Sequence, residues 1–71
     1  MKRIENSIDI GTLILNRRKG LGFTQKEAAG LCGVGVRFWS ELENGKETLQ
    51  LGKVLSILSR LGIDLTAEVR S

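Results

Sequence analysis

The chain has 71 residues, enough for one domain but too few to bury a large core, so a single copy has little stability to spare. One cysteine and no histidine leave no internal disulfide, no imidazole for a metal site and no imidazole for general-base catalysis. The net charge of +3 and a pI near 9.5 suit a polyanion as partner.

The charge is unevenly placed. Lys2, Arg3, Arg17, Arg18, Lys19, Lys26 and Arg37 precede Ser40 against only Glu5, Asp9 and Glu27, while the remainder is nearly balanced. With disulfides and metals set aside, a second copy of the chain is the route to extra stability that stays open. Cys32 lies among apolar residues and reads as a small buried hydrophobe rather than the half of an intermolecular disulfide. No apolar run follows a basic start, and none approaches the roughly 20 residues of a membrane span, so a cytoplasmic, soluble protein is expected.

Proline is absent, so glycines must punctuate the helices. Residues 1–6 are charged and expected to be flexible. Ser7 is a plausible N-cap for a first helix carrying Ile10, Leu13, Ile14 and Leu21 at helical spacing, ended by Gly20 and Gly22. Thr24-Gln25-Lys26-Glu27 has the form of a capping box for a short second helix. Ala28, Ala29, Leu31 and Cys32 give that helix a small-residue apolar face, and Gly33 stops it. After the turn at 33–35, a third helix runs from Val36 to about Asn44, closed by Asn44-Gly45. Thr48 can cap a fourth, with a wide apolar face of Leu49, Leu51, Val54, Leu55, Ile57, Leu58 and Leu61, before Gly62.

The period then changes. Ile63, Leu65, Ala67 and Val69 alternate with Asp64, Thr66, Glu68 and Arg70, the pattern of a half-buried strand. One strand in a helical chain has nothing to pair with, and an unpaired edge invites association. The simplest partner is the same strand of a second copy, antiparallel across a two-fold axis.

The second and third helices are joined too tightly to accommodate bulk where they cross. Ala29 meets that need, and Gly33 gives the turn access to positive φ. Val34, Trp39 and Leu42 can then face the core while Val36, Arg37, Ser40 and Glu41 face outward, where a helix can enter the major groove. The strings T-Q-K-E-A-A-G-L-C-G-V and S-E-L-E-N-G-K closely resemble those of the phage-repressor/Cro helix-turn-helix family, also called the xenobiotic-response-element family. The resemblance covers residues 7–62. It implies a mainly α, lambda-repressor-like four-helix DNA-binding domain, followed at 63–71 by the β-strand that pairs across a dimer.

Roles follow from the resemblance. Thr24 and Gln25 would touch phosphates at the start of the second helix. Val36 and Arg37 would read base edges, with Ser40 and Glu41 next along the face and Gly35 close by; Arg37 is the first choice for guanine, whose O6 and N7 match its fork. Val36 stands where a polar residue is often found, and it would contact a thymine methyl or carry little sequence information. Asn44 and Lys46 would contact phosphate. Arg18 and Glu43 occupy the places of a structural ion pair between the first and third helices. Phe38 has two placements open, against thymine methyls and sugars or folded back beside Trp39. Arg17 and Lys19 are left a long-range electrostatic role.

A short four-helix unit followed at once by G-I-D-L-T-A-E-V also resembles the HipB-like antitoxins. That subgroup implies a homodimer on double-stranded DNA at an inverted repeat, repression of its own operon, and binding of a HipA-like kinase toxin. A stand-alone repressor would share these features, and a protein-interaction module is the alternative from another class. Catalysis is not expected: Cys32 has no evident activating partner, and no cofactor, metal or small-molecule pocket is indicated.

Overall fold

The computed structural model describes residues 3–70 and has four helices: α1 (Ser7–Leu21), α2 (Gln25–Leu31), α3 (Val36–Glu43) and α4 (Leu51–Arg60). Met1 and Lys2, in the expected flexible start, and Ser71, in the expected strand, lie outside the described residues. α3 packs against both α1 and α2. Its Trp39 and Leu42 meet Ile14 of α1, Ala28 and Ala29 of α2, and Val54, Ile57, Leu58 and Leu61 of the α4 region in one buried cluster. The α4 set has the spacing i, i+3, i+4, i+7, one stripe of a 3.6-residue helix.

Each helix ends on a glycine at positive φ: Gly22, Gly33, Gly45 and Gly62. The following N–H groups reach back, from Phe23 to the Arg18 carbonyl, Val34 to Ala29, Lys46 to Glu41 and Ile63 to Leu58. Four repeats of this left-handed closure are how a chain without proline stops its helices. Gly20, expected to share in ending α1, lies inside it.

The starts differ more from expectation. Asn6, not Ser7, caps α1: its backbone is extended and its side-chain oxygen accepts from the Asp9 N–H at 2.9 Å. Ser7 is the first helical residue, and its hydroxyl donates to the Gly45 carbonyl at 2.7 Å. The Thr24 capping box forms, with the Glu27 N–H donating to Thr24 Oγ1 at 3.1 Å and the Thr24 N–H to Glu27 Oε1 at 2.9 Å. Thr24→Ala should cost about 1 kcal/mol in urea unfolding. Thr48 is not the cap of α4: the N-cap is Gln50, two residues further on, and it makes no side-chain cap hydrogen bond.

α4 has more apolar surface than this chain covers. Val54, Ile57, Leu58 and Leu61 are buried and Leu49 packs on the core, but Leu51 and Leu55 are exposed, as is Leu21 on α1. Residues 63–70 carry no strand within the single chain. A ladder needs a neighbouring strand, and there is none among the described residues.

Candidate nucleic-acid interface

The N-terminal turn of α3 stands clear of the core. Val36 is 51% exposed, and Gly35 and Arg37 are exposed. Ser40 and Glu41 are half-buried one turn further on, while Trp39 and Leu42, on the opposite side, are fully enclosed. The sequence pattern thus divides α3 as expected into a core side and an outward side. Arg37 enters no ion pair among the described residues, so its guanidinium fork is available.

Glu41 and Lys46 are occupied with each other. The Lys46 ammonium donates to Glu41 Oε2 at 2.7 Å. That hydrogen bond, with the charges of Lys46 and of Arg37 one turn away, holds the Glu41 carboxyl below its usual pKa. It therefore stays ionised at neutral pH, able to accept from a cytosine amino group only by sharing or releasing Lys46. Asn44 and Thr24 are exposed at either end of the two-helix unit.

Phe38 packs at the edge of the core. Its ring is half-buried against the core, with the Lys53 ammonium 5.6 Å from the ring centroid. Lys53 rides on α4, so Phe38 ties α3 to α4 by a cation–π contact.

Behind the outward face lies the network that fixes it. Arg18 donates through Nε to Glu43 Oε2 at 2.6 Å and through Nη2 to Oε1 at 3.1 Å, a bidentate pair. Its Nη1 donates to the Phe23 carbonyl at 2.8 Å. Two further donors converge on the same carboxylate, Gln25 Nε2 at 2.8 Å and the Trp39 indole N–H at 2.7 Å. Sequence reasoning anticipated the pair but missed these two. Gln25, expected on phosphate, spends its amide here, and the enclosed Trp39 gains a partner for its only polar atom. The Arg18 and Glu43 side chains are 11% and 4% exposed, and no buried side-chain polar atom among the described residues lacks a partner. Burial alone would raise the Glu43 pKa; the hydrogen bonds from Arg18, Gln25 and Trp39 and the Arg18 charge outweigh it, and the net shift is downward.

Three other placements differ from the sequence reading or lie outside it. Arg17 is more than a distant charge: its Nε donates to the Leu61 carbonyl at 2.8 Å, capping the end of α4. Gly11 is buried where α1 crosses the end of α3. Its signal was present, since a glycine inside a helix carries a cost that usually has a packing reason. Gly45 sits against the backbone of Ile8, which places the N-G-K turn under the start of α1. Cys32 is half-buried, and burial raises its thiol pKa against the opposing charge of Arg60.

Two short helices crossing at a glycine turn, with the second presenting an exposed basic N-terminal turn, define a helix-turn-helix DNA-binding domain. A family model described as a helix-turn-helix domain matches residues 9–71, and the chain belongs to that family, one of DNA-binding regulators rather than of enzymes. It is 50% identical over 68 residues, 93% of this chain and 90% of the relative, to the Uncharacterized HTH-type transcriptional regulator y4mF of Sinorhizobium fredii. Its fold matches that of a HipB–O4 20mer complex at 22% identity, with full coverage of both chains and a TM-score of 0.83. The structure of a HipA–HipB–O2–O3 complex matches at 22% identity, again with full coverage of both chains, and a TM-score of 0.84. No helix among the described residues is long and apolar enough to cross a membrane.

Proposed function

We propose that this protein is a transcriptional repressor that binds an inverted-repeat operator as a homodimer, and that it is the antitoxin partner of a kinase-type toxin. The observation that carries DNA reading is the exposed, unpaired Arg37 beside Val36 and Gly35 on a turn whose back is locked to the core. Two such turns, related by a two-fold axis, would enter successive major grooves about 34 Å apart. Arg37 reads guanine and Val36 meets a thymine methyl. Ser40 and Glu41 reach the next bases, Glu41 exchanging Lys46 for a cytosine amino group as Lys46 turns to phosphate. Thr24 and Asn44 fix the register on the backbone. Gln25 acts here chiefly through Glu43, holding α2 against α3. The antitoxin part is supported by the likeness, over the whole chain, to the fold seen in the HipA–HipB–O2–O3 complex.

The test is fluorescence anisotropy on an operator selected from random duplexes. Arg37→Ala should weaken operator binding by about 1–3 kcal/mol per half-site while leaving the salt slope nearly unchanged. Lys46→Ala should flatten the slope by about 1 per half-site. Equal affinity of wild type and Arg37→Ala for the selected operator would remove Arg37 from base reading. For the toxin, the full chain co-expressed with a HipA-like kinase should co-purify as a stoichiometric complex; two freely separating proteins would leave a stand-alone repressor.

A further inference from the structure

We propose that the Glu41–Lys46 ion pair is a latch that withholds a cation from non-operator DNA and releases it only where a base offers Glu41 a hydrogen-bond donor. This rests on the DNA-reading face proposed above and goes beyond it, because the same two residues then set how weakly every other sequence is held.

The pair is built by the turn that ends α3. At Gly45, which has positive φ, the chain folds back so that the Lys46 N–H donates to the Glu41 carbonyl at 3.0 Å. Contacts from α1 hold that turn in place: the Ser7 hydroxyl donates to the Gly45 carbonyl, and the backbone of Ile8 lies against Gly45. With both backbones fixed, only side-chain entropy is lost when the Lys46 ammonium reaches Glu41 Oε2 at 2.7 Å. The pairing is selective, since Glu47, next in the chain, enters no ion pair among the described residues. The Lys46 and Glu41 side chains are 45% and 30% exposed, so the pair lies within reach of an incoming duplex.

Against DNA, Lys46 could leave Glu41 for a phosphate, but that trades one oxyanion for another and gains little. The loss falls on Glu41. In the major groove it would face guanine N7 and O6, adenine N7 and thymine O4, which are all acceptors. A carboxylate desolvated there without a donor is costly, and its repulsion of the nearby phosphates disfavours the wrong sequence. An exocyclic amino group, that of cytosine above all, reverses the balance by donating to Glu41 and freeing Lys46. Non-operator DNA is therefore met with the latch closed and with one fewer phosphate contact per protomer.

The test is the salt dependence of binding by the full chain, read by fluorescence anisotropy on the selected operator and on a duplex that lacks it. Glu41→Gln should steepen the slope on the non-operator duplex by about 1 per protomer and shrink the operator's advantage. Adding Lys46→Ala should cancel that steepening, because the freed cation is its cause. Lys46→Ala alone should flatten the operator slope by more than the non-operator slope. Glu47→Gln removes the same charge from outside the pair and should steepen the slope far less. Steepening by Glu41→Gln that survives in the Lys46→Ala background, or that Glu47→Gln matches, would mean plain charge repulsion and overturns the latch. Equal flattening of both slopes by Lys46→Ala overturns it too, with sequence reading left standing. A wild-type chain that binds both duplexes equally overturns the sequence reading and the latch together.

Discussion

Glu43→Ala should unfold this domain or leave it barely folded, at a cost of about 3–5 kcal/mol in urea unfolding. The alanine strands Arg18, whose side chain is only 11% exposed and whose Nη1 is held by the Phe23 carbonyl. It also leaves the indole N–H of a fully enclosed Trp39 without an acceptor. A small domain has a total stability of roughly 5–15 kcal/mol, and this one belongs at the low end of that range. Glu43→Gln keeps the shape but turns an amide N–H₂ toward a donor, so it should recover little. Arg18→Met with Glu43→Leu removes both charges and should recover more than either single change, though the stranded indole limits it. A Glu43→Ala midpoint equal to wild type would mean that the four-donor carboxylate does not hold α1, α2 and α3 together.

The same carboxylate sets an acid limit. Its folded pKa lies below the ordinary glutamate value of 4.5, so its contribution is present in full above that value and is lost as pH falls through the depressed folded one. Glu27, pulled down by its hydrogen bonds with Thr24, and Glu41, pulled down by Lys46, act in the same direction, but weakly, because Glu27 is exposed and the half-buried Glu41 still meets solvent. Arg18 is shifted upward by its bond to Glu43, so its contribution is intact across the whole acid and neutral range. Acid unfolding should therefore begin below pH 4.5. No matching alkaline limb should come from this pair.

What the sequence revealed was whatever depends on neighbours in the chain. The Thr24–Glu27 box, the glycine that closes each helix and the i, i+3, i+4, i+7 stripe of α4 are local patterns with local causes. Arg18 and Glu43 were found by resemblance alone. The misjudged caps were choices between near neighbours: Asn6 or Ser7, Thr48 or Gln50. Ser7 was drawn away by the Gly45 carbonyl, a contact 38 residues distant that no local pattern encodes. Arg17 was misread for the same reason, because its acceptor lies on Leu61. The alternating tail is a different case: its pattern is complete in the sequence, but residues 63–70 carry no strand in the single chain.

Gly11→Ala should destabilise the protein by about 2–3 kcal/mol, although alanine is the better helix former. A Cβ at Gly11 would lie 2.6 Å from the Leu42 carbonyl oxygen and 2.7 Å from that of Glu43. Both are backbone atoms in the last turn of α3, so neither can rotate aside; α1 must move outward. That movement drags Ile14, which is fully buried, and pulls Arg18 from Glu43, since all three residues share one face of α1. The same helix supplies the control. Gly20 is also inside α1, and a Cβ there meets nothing within 4 Å. Gly20→Ala should therefore stabilise by about 0.5–1 kcal/mol. Opposite signs for one substitution in one helix separate close approach from propensity, and matching signs in thermal unfolding would mean that α1 does not sit this close to α3.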